Sequence, residues 1–188
     1  MDWPVSVASH RPYRKLPTGT DWSYEVKLDG HRMIMWRTGD GVRLQARSGR
    51  YVTAAWGDLA LASYHHLPAG TVLDGKAVIA TEDGRISFEA AQARAASSPT
   101  RAHRLAAQRP AHYIAFDALQ LPSGNVRPRP YTERRAALLN LLAELPANTP
   151  IQAVSATTDR DTAFTWYNTL HKHGCLRTTA VSRKERGG

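Results

Sequence analysis

Residues 22–36, Trp-Ser-Tyr-Glu-Val-Lys-Leu-Asp-Gly-His-Arg-Met-Ile-Met-Trp, constrain the fold of this chain more than any other stretch. Trp22, Tyr24 and Val26 alternate with Ser23, Glu25 and Lys27; Asp29-Gly30 follows, and then the apolar run Met33-Ile34-Met35-Trp36. Alternation before an Asp-Gly pair and an apolar run after it predict a strand, a tight turn and a second strand paired with the first as a hairpin. Lys27 falls inside the first strand, just before the turn, where lysine is depleted. It is either a solvent-facing strand residue or a reactive amine, and Asp29 and Arg32 beside it invite the second reading.

The rest of the chain bears on that choice. Arg47-Ser48-Gly49 follows Leu44, Val72-Leu73-Asp74-Gly75 precedes Ala77-Val78-Ile79, and Tyr113-Ile114-Ala115-Phe116-Asp117-Ala118-Leu119 comes later. Together with Lys27-Leu28-Asp29-Gly30-His31-Arg32, these segments resemble, in order, the nucleotidyl-transfer motifs of ATP-dependent DNA ligases and their relatives the mRNA capping enzymes, with the ligase branch matched better. Ala46 stands where that family usually has serine. The resemblance runs over roughly residues 1–175. It implies an α+β fold of antiparallel sheets flanked by helices, the ATP-grasp-like adenylation domain of DNA ligases.

By the same resemblance, Lys27 is the nucleophile that attacks the α-phosphate of ATP and forms a lysyl-AMP intermediate. A free lysine is almost wholly protonated near neutral pH. The chemistry therefore calls for nearby cations, and Arg32, Arg47 and a bound Mg2+ or Mn2+ are the candidates. Arginine suits phosphate because it stays charged and grips oxygens in pairs. Asp29 is placed near the reacting lysine by resemblance, although an aspartate before glycine is also a plain turn former. Phe116 is placed against the adenine ring, where stacking is worth about 1–3 kcal/mol, although a strand phenylalanine is equally a core residue. Glu25 is placed at the adenine edge.

Two departures accompany the matches. After Asp74-Gly75 the family carries a glutamate, and this chain has Lys76, an exchange of two charge units to a group that ligates no metal. Asp74 is then the candidate metal carboxylate. Near the C-terminus the family continues with Glu-Gly-x-Val-x-Lys and then an OB-fold domain, whereas this chain reads Cys175-Leu176-Arg177-Thr178-Thr179 and stops at Gly188. The late strands are expected to be incomplete, leaving a sheet edge or apolar face for self-association or for a second polypeptide.

Composition narrows the partners. The chain has 188 residues, a net charge of +9 and a sequence pI near 10.1. Arg94, Arg101, Arg104 and Arg109 lie in an acid-free stretch, and Arg127, Arg129, Arg134 and Arg135 form a second group. Such an excess attracts a polyanion, DNA or nucleotide phosphates, without specifying a sequence. No apolar run approaches a membrane span, no secretory signal is visible, and the lone Cys175 fits a reducing, cytoplasmic setting close to the nucleoid.

Residues 1–20, with Pro4, Pro12 and Pro17, read as an extended arm; residues 21–176 as the adenylation-like domain; residues 177–188 as a basic, mobile tail. Within the domain, Gly39-Asp40-Gly41 turns into a third strand over residues 42–47, completing a meander. Helices are expected over 54–63, over 88–108 with a break near Ser97-Ser98-Pro99, over 132–145 with Thr132 as cap, and over 161–173. Strands are expected over 71–80, interrupted at Asp74-Gly75-Lys76, over 112–119 and over 151–154. Function then divides between a DNA ligase adenylation domain acting in replication, recombination or repair, a catalytically defective module that still binds DNA or nucleotide, and an RNA ligase or capping-type enzyme.

Overall fold

The computed structural model describes residues 16–170 and 175–186, the last segment by its backbone alone up to residue 177. The strands are β1 (Trp22–Leu28), β2 (His31–Arg37), β3 (Val42–Ala46), β4 (Thr71–Ile79), β5 (Ala111–Leu121), β6 (Gly124–Asn125), β7 (Ile151–Ala153), β8 (Ala156–Thr157) and β9 (Cys175–Ser182). The helices are α1 (Gly57–His66), α2 (Phe88–Ala95), α3 (Pro99–Gln108), α4 (Tyr131–Ala143) and α5 (Arg160–Thr169). They form the expected α+β fold. One sheet runs β3-β2-β4-β5-β6 in antiparallel fashion, with β7 joining β5 in parallel; the other is β8-β1-β9, antiparallel throughout.

β1 and β2 therefore do not form the hairpin expected of them. The pair Asp29-Gly30 carries the chain from one sheet into the other, and Gly30 lacks the positive φ that a tight I′ hairpin demands. Its glycine is needed for space: a Cβ there would meet the Ala77 carbonyl oxygen at 2.5 Å and Val78 Cγ1 at 2.9 Å. Gly30→Ala is expected to cost about 1–3 kcal/mol of stability, by the overpacking of a tight site, read as a lowered urea midpoint. Only β2 and β3 pair as the meander predicted.

The unbroken apolar run in β2 is explained by burial on both faces. Met33 and Met35 join the main core with Leu44, Leu73, Tyr113 and Trp56, under the helices, while Ile34 and Trp36 meet Val72 and Leu119 on the opposite face. In β4, Asp74-Gly75-Lys76 does not interrupt the strand; the register against β5 shifts between Asp74 and Gly75, and pairing continues to Ile79. Gly75 lies against the Ile114 carbonyl, 2.6 Å from where a Cβ would stand.

The helices fall near their expected places, with revised ends. A short 3-10 turn occupies Thr53–Ala55 and α1 starts only at Gly57. The split at Ser97-Ser98-Pro99 separates α2 from α3 as expected, Pro99 opening α3. Thr132 does not cap α4. Pro130 holds that position, and the amides of Tyr131 and Thr132 donate to the carbonyls of Glu185 (2.8 Å) and Arg183 (3.4 Å). Residues 171–173 of the last expected helix lie outside the described residues, as does most of the N-terminal arm; from that arm Leu16 packs near Tyr24, whose hydroxyl donates to the Pro17 carbonyl at 2.7 Å.

The tail expected to be mobile is docked as far as Arg186. β9 pairs with β1 from Trp22↔Ser182 to Leu28↔Cys175, and its continuation supplies acceptors to helix α4, which begins with unsatisfied amides. β1 thus has neighbours on both edges, so the uncovered edge expected from the missing late motifs does not fall on this strand.

Two of the arginines assigned to a polyanion surface are internal. Arg94 is fully buried, donates through Nε to the Ala55 carbonyl and pairs with Asp58, which also accepts from the Ala111 amide. Arg134 is 3% exposed and holds Asp117. Arg101, Arg104, Arg109 and Arg129 stay on the surface.

Candidate functional site

Because the chain passes after Leu28 from the β8-β1-β9 sheet into the larger one, a cleft opens between the two sheets. It has a volume of about 430 Å3, and β1 contributes Glu25, Val26 and Lys27 to its wall. Asp29 and Gly30 from the crossing, Arg32 from β2, Arg47 just after β3, Lys76 from β4 and Phe116 from β5 complete most of the lining. All six residues singled out in the sequence, Glu25, Lys27, Asp29, Arg32, Arg47 and Phe116, face this one cavity.

One wall is cationic. Lys27 and Arg47 are exposed, as a group that must meet a ligand from solvent requires. Arg32 is fixed: its Nε lies 3.2 Å from Asp74 Oδ1 and its Nη2 2.7 Å from Asp74 Oδ2. The fork leaves its guanidinium carbon 5.3 Å from the Phe116 ring centroid, within cation-π range. Lys76 Nζ donates to the Leu28 carbonyl at 2.7 Å, joining β4 to the end of β1. Burial pushes the Lys76 ammonium down from the usual lysine range, and the charge of Lys27 adds to this. Burial raises the Asp29 carboxyl, opposed by Lys76 and Lys27. These three groups therefore share one small region.

The other wall is apolar, formed by Val26, Ile114, Phe116, Val154 and Val181, with Phe88 at the start of α2. A planar base fits between such side chains, and a polyphosphate fits the cationic wall. Glu25 in the lining is 5% exposed, and the Tyr131 hydroxyl donates to its Oε1 at 2.6 Å. Burial pushes the Glu25 carboxyl up to about 7, the Tyr131 hydrogen bond and Arg135 opposing the rise. Its own burial pushes the Tyr131 hydroxyl above its usual range, and the Glu25 carboxylate adds to this.

Among the described residues, those lining the cleft do not fit a resident divalent cation: the lining holds two carboxylates, Asp29 and Glu25, beside four cationic side chains. Both oxygens of Asp74, the candidate metal carboxylate, are held by Arg32, and Asp74 is not among the residues lining the cleft. Glu25 is hydrogen-bonded to Tyr131, Lys76 stands where a carboxylate was expected, and β9 offers Thr179 and Val181. Among the described residues no three His, Cys, Asp or Glu side chains converge on a common point.

Sequence reasoning missed Tyr131, Val154, Thr179 and Val181. Tyr131 lies 106 residues from its partner Glu25, and no local pattern marks a contact of that separation. Thr179 and Val181 do alternate along β9, a period-two signal that the basic residues around them obscured.

Comparison with known proteins agrees with this geometry. The sequence profile described as ATP dependent DNA ligase domain matches residues 8–175. The chain is 38% identical over 173 residues to DNA ligase C of Mycobacterium tuberculosis, covering 91% of this chain and 48% of that protein. It is also 38% identical to DNA ligase C2 of Mycolicibacterium smegmatis, over 91% of this chain and 47% of the relative. The chain thus spans about half the length of these relatives. Among solved structures, mycobacterial DNA ligase D complexed with ATP and MES superposes with a TM-score of 0.69 at 28% identity, over 97% of this chain and 55% of that one. A lysine-bearing strand beside a cationic cleft, on a fold shared with these enzymes, is what the motif order implied: the chain belongs to the family of ATP-dependent DNA ligase domains.

Proposed function

We propose that this chain is the nucleotide-loading domain of an ATP-dependent DNA ligase, and that Lys27 carries the adenylyl group. The observation that carries this reading is the convergence of Lys27, Arg32, Arg47, Asp29, Glu25 and Phe116, from separate strands and turns, on one cleft. ATP enters with its adenine against Phe116 and its edge toward Glu25. Its phosphates lie along Arg32, Arg47 and the lysines. Lys27 Nζ attacks the α-phosphorus, the bond to the β-phosphate breaks, pyrophosphate departs, and the amine gives up a proton to leave a phosphoramidate. Positioned cations stabilise the charge that develops on the phosphoryl oxygens.

Asp29 lines the same cleft as the amine and acts as its proton acceptor or orienting partner. Mg2+ or Mn2+ enters as part of the nucleotide substrate. In the full reaction the adenylyl group passes to the 5′-phosphate at a nick in DNA, and the adjoining 3′-hydroxyl displaces AMP to seal the strand. The exposed Arg101, Arg104, Arg109 and Arg129 supply attraction for the DNA backbone.

Incubation with α-32P-labelled ATP and Mn2+, followed by denaturation, tests the central step. Acid-labile label on the chain is expected, with complete loss in Lys27→Ala while the melting curve stays close to the parent's. A folded chain that takes up no label would refute the catalytic reading. It would leave the second one, a scaffold that binds nucleotide or DNA without forming the intermediate, which Lys76 in place of a carboxylate favours.

A further inference from the structure

We propose that the Lys76 ammonium is the resident cation of this cleft, a direct ligand for the nucleotide's phosphates at the position where a carboxylate would otherwise recruit a metal. The inference rests on the reading of the cleft as a nucleotide site, and it assigns a binding role to a residue by which this chain departs from its family's motif. Three observations support it. Lys76 lines the cleft together with Lys27, Arg32 and Arg47, so its side chain adds to a cationic wall. Its Nζ is anchored on the Leu28 carbonyl, one residue from Lys27, and an ammonium has three donors, of which that carbonyl takes one. Finally, among the described residues the cleft is lined by only two carboxylates, Asp29 and Glu25; Glu25 accepts from Tyr131, and Asp74, outside the lining, is held by Arg32.

The anchoring matters physically. A free lysine loses rotamer entropy when it grips a ligand, whereas Lys76 is already held on a strand of the central sheet. Burial makes an uncompensated ammonium unfavourable here, and an incoming polyphosphate supplies the missing opposite charge. A divalent ion held by a carboxylate would do the same electrostatic work, but this chain has built the positive charge into its backbone-anchored side chain.

The test is equilibrium binding, by calorimetry, of ATP and of adenosine to the whole chain carrying Lys27→Ala, in EDTA. The covalent step cannot then contribute. ATP is expected to bind more tightly than adenosine without any metal. Lys76→Met is expected to weaken ATP about tenfold or more, the equivalent of one charge-assisted hydrogen bond, and to leave adenosine within about twofold. Lys76→Arg is expected to keep most of the ATP affinity. Lys76→Glu is expected to lose more than the Met variant in EDTA and to recover selectively when Mg2+ is added, because a metal ligand has been restored.

Equal weakening of ATP and adenosine in Lys76→Met would make Lys76 a strut between β4 and Leu28 and overturn the proposal. So would ATP affinity that vanishes in EDTA with Lys76 intact. The labelling experiment on Lys27 is independent. A chain that binds ATP through Lys76 yet takes up no label sustains this inference and refutes the catalytic one; label on Lys27 with an unaffected Lys76→Met does the reverse.

Discussion

Arg134→Met is expected to lower the stability of this protein by about 3–5 kcal/mol, the usual effect of removing one partner of a buried ion pair. The guanidinium donates through Nε to Asp117 at 2.8 Å and through Nη2 to Asp117 Oδ2 at 2.8 Å. Nη1 reaches the carbonyls of Arg129 at 2.7 Å and Glu185 at 2.9 Å. One side chain thus ties α4 to β5 and to the C-terminal segment. Methionine fills some of the volume but leaves Asp117 and two carbonyls without these donors. Against a total stability of about 5–15 kcal/mol for an ordinary domain, the loss is large. Thermal melting should show a fall of roughly 10 °C, using about 2–4 °C per kcal/mol for a chain of this size. Removing both charges, in Arg134→Met with Asp117→Leu, is expected to recover much of the loss, because no unpaired carboxylate remains. A single variant that melts with the parent would show that the pair contributes nothing.

Glu25→Gln is expected to act in the opposite direction, and only above acidic pH. Burial holds the Glu25 carboxyl near 7 in the folded chain, against an ordinary value of 4.5. Between those pH values the folded state keeps a proton that the unfolded state has lost. The contribution of Glu25 to stability is therefore fully present below about pH 4.5, declines as pH rises, and is lost by about pH 7. The difference corresponds to about 3 kcal/mol at most, since one pKa unit is about 1.4 kcal/mol. Glutamine keeps an acceptor for the Tyr131 hydroxyl and never ionises. The variant should match the parent near pH 4.5 and exceed it by up to that amount near pH 8, in urea melts across the range. Parallel stability curves for the two chains would refute the burial cost. If Glu25 reads the adenine edge, the same variant should also bind ATP more weakly, so that the parent retains a destabilising carboxylate for its ligand.

Several elements were legible in local sequence because their causes are local. The Lys27-x-Asp29-Gly30-x-Arg32 spacing put an amine, a carboxylate and a guanidinium close together along the chain, and all three line the cleft. Gly39-Asp40-Gly41 joined β2 to β3, and Ser97-Ser98-Pro99 parted α2 from α3, since turn and cap chemistry involves residues a few positions apart. The β2 run was readable as a strand, and its lack of alternation reported burial on both faces.

Tertiary structure alone decided what those pieces meet. An Asp-Gly pair is compatible with a hairpin or with a crossing between sheets, and the choice fell to the crossing because β1 finds both its partners, β8 and β9, more than 100 residues away. Charge in the sequence carries no address. Arg94 and Arg134 read as surface for a polyanion until Asp58 and Asp117 drew them inside, while Lys76 read as a defect until the fold anchored it on Leu28 within the cleft. The sequence by itself determined that Asp29 and Arg32 follow Lys27 along the chain. Packing between distant strands determined which groups line the cleft, because burial and ion pairing are properties of neighbours in space.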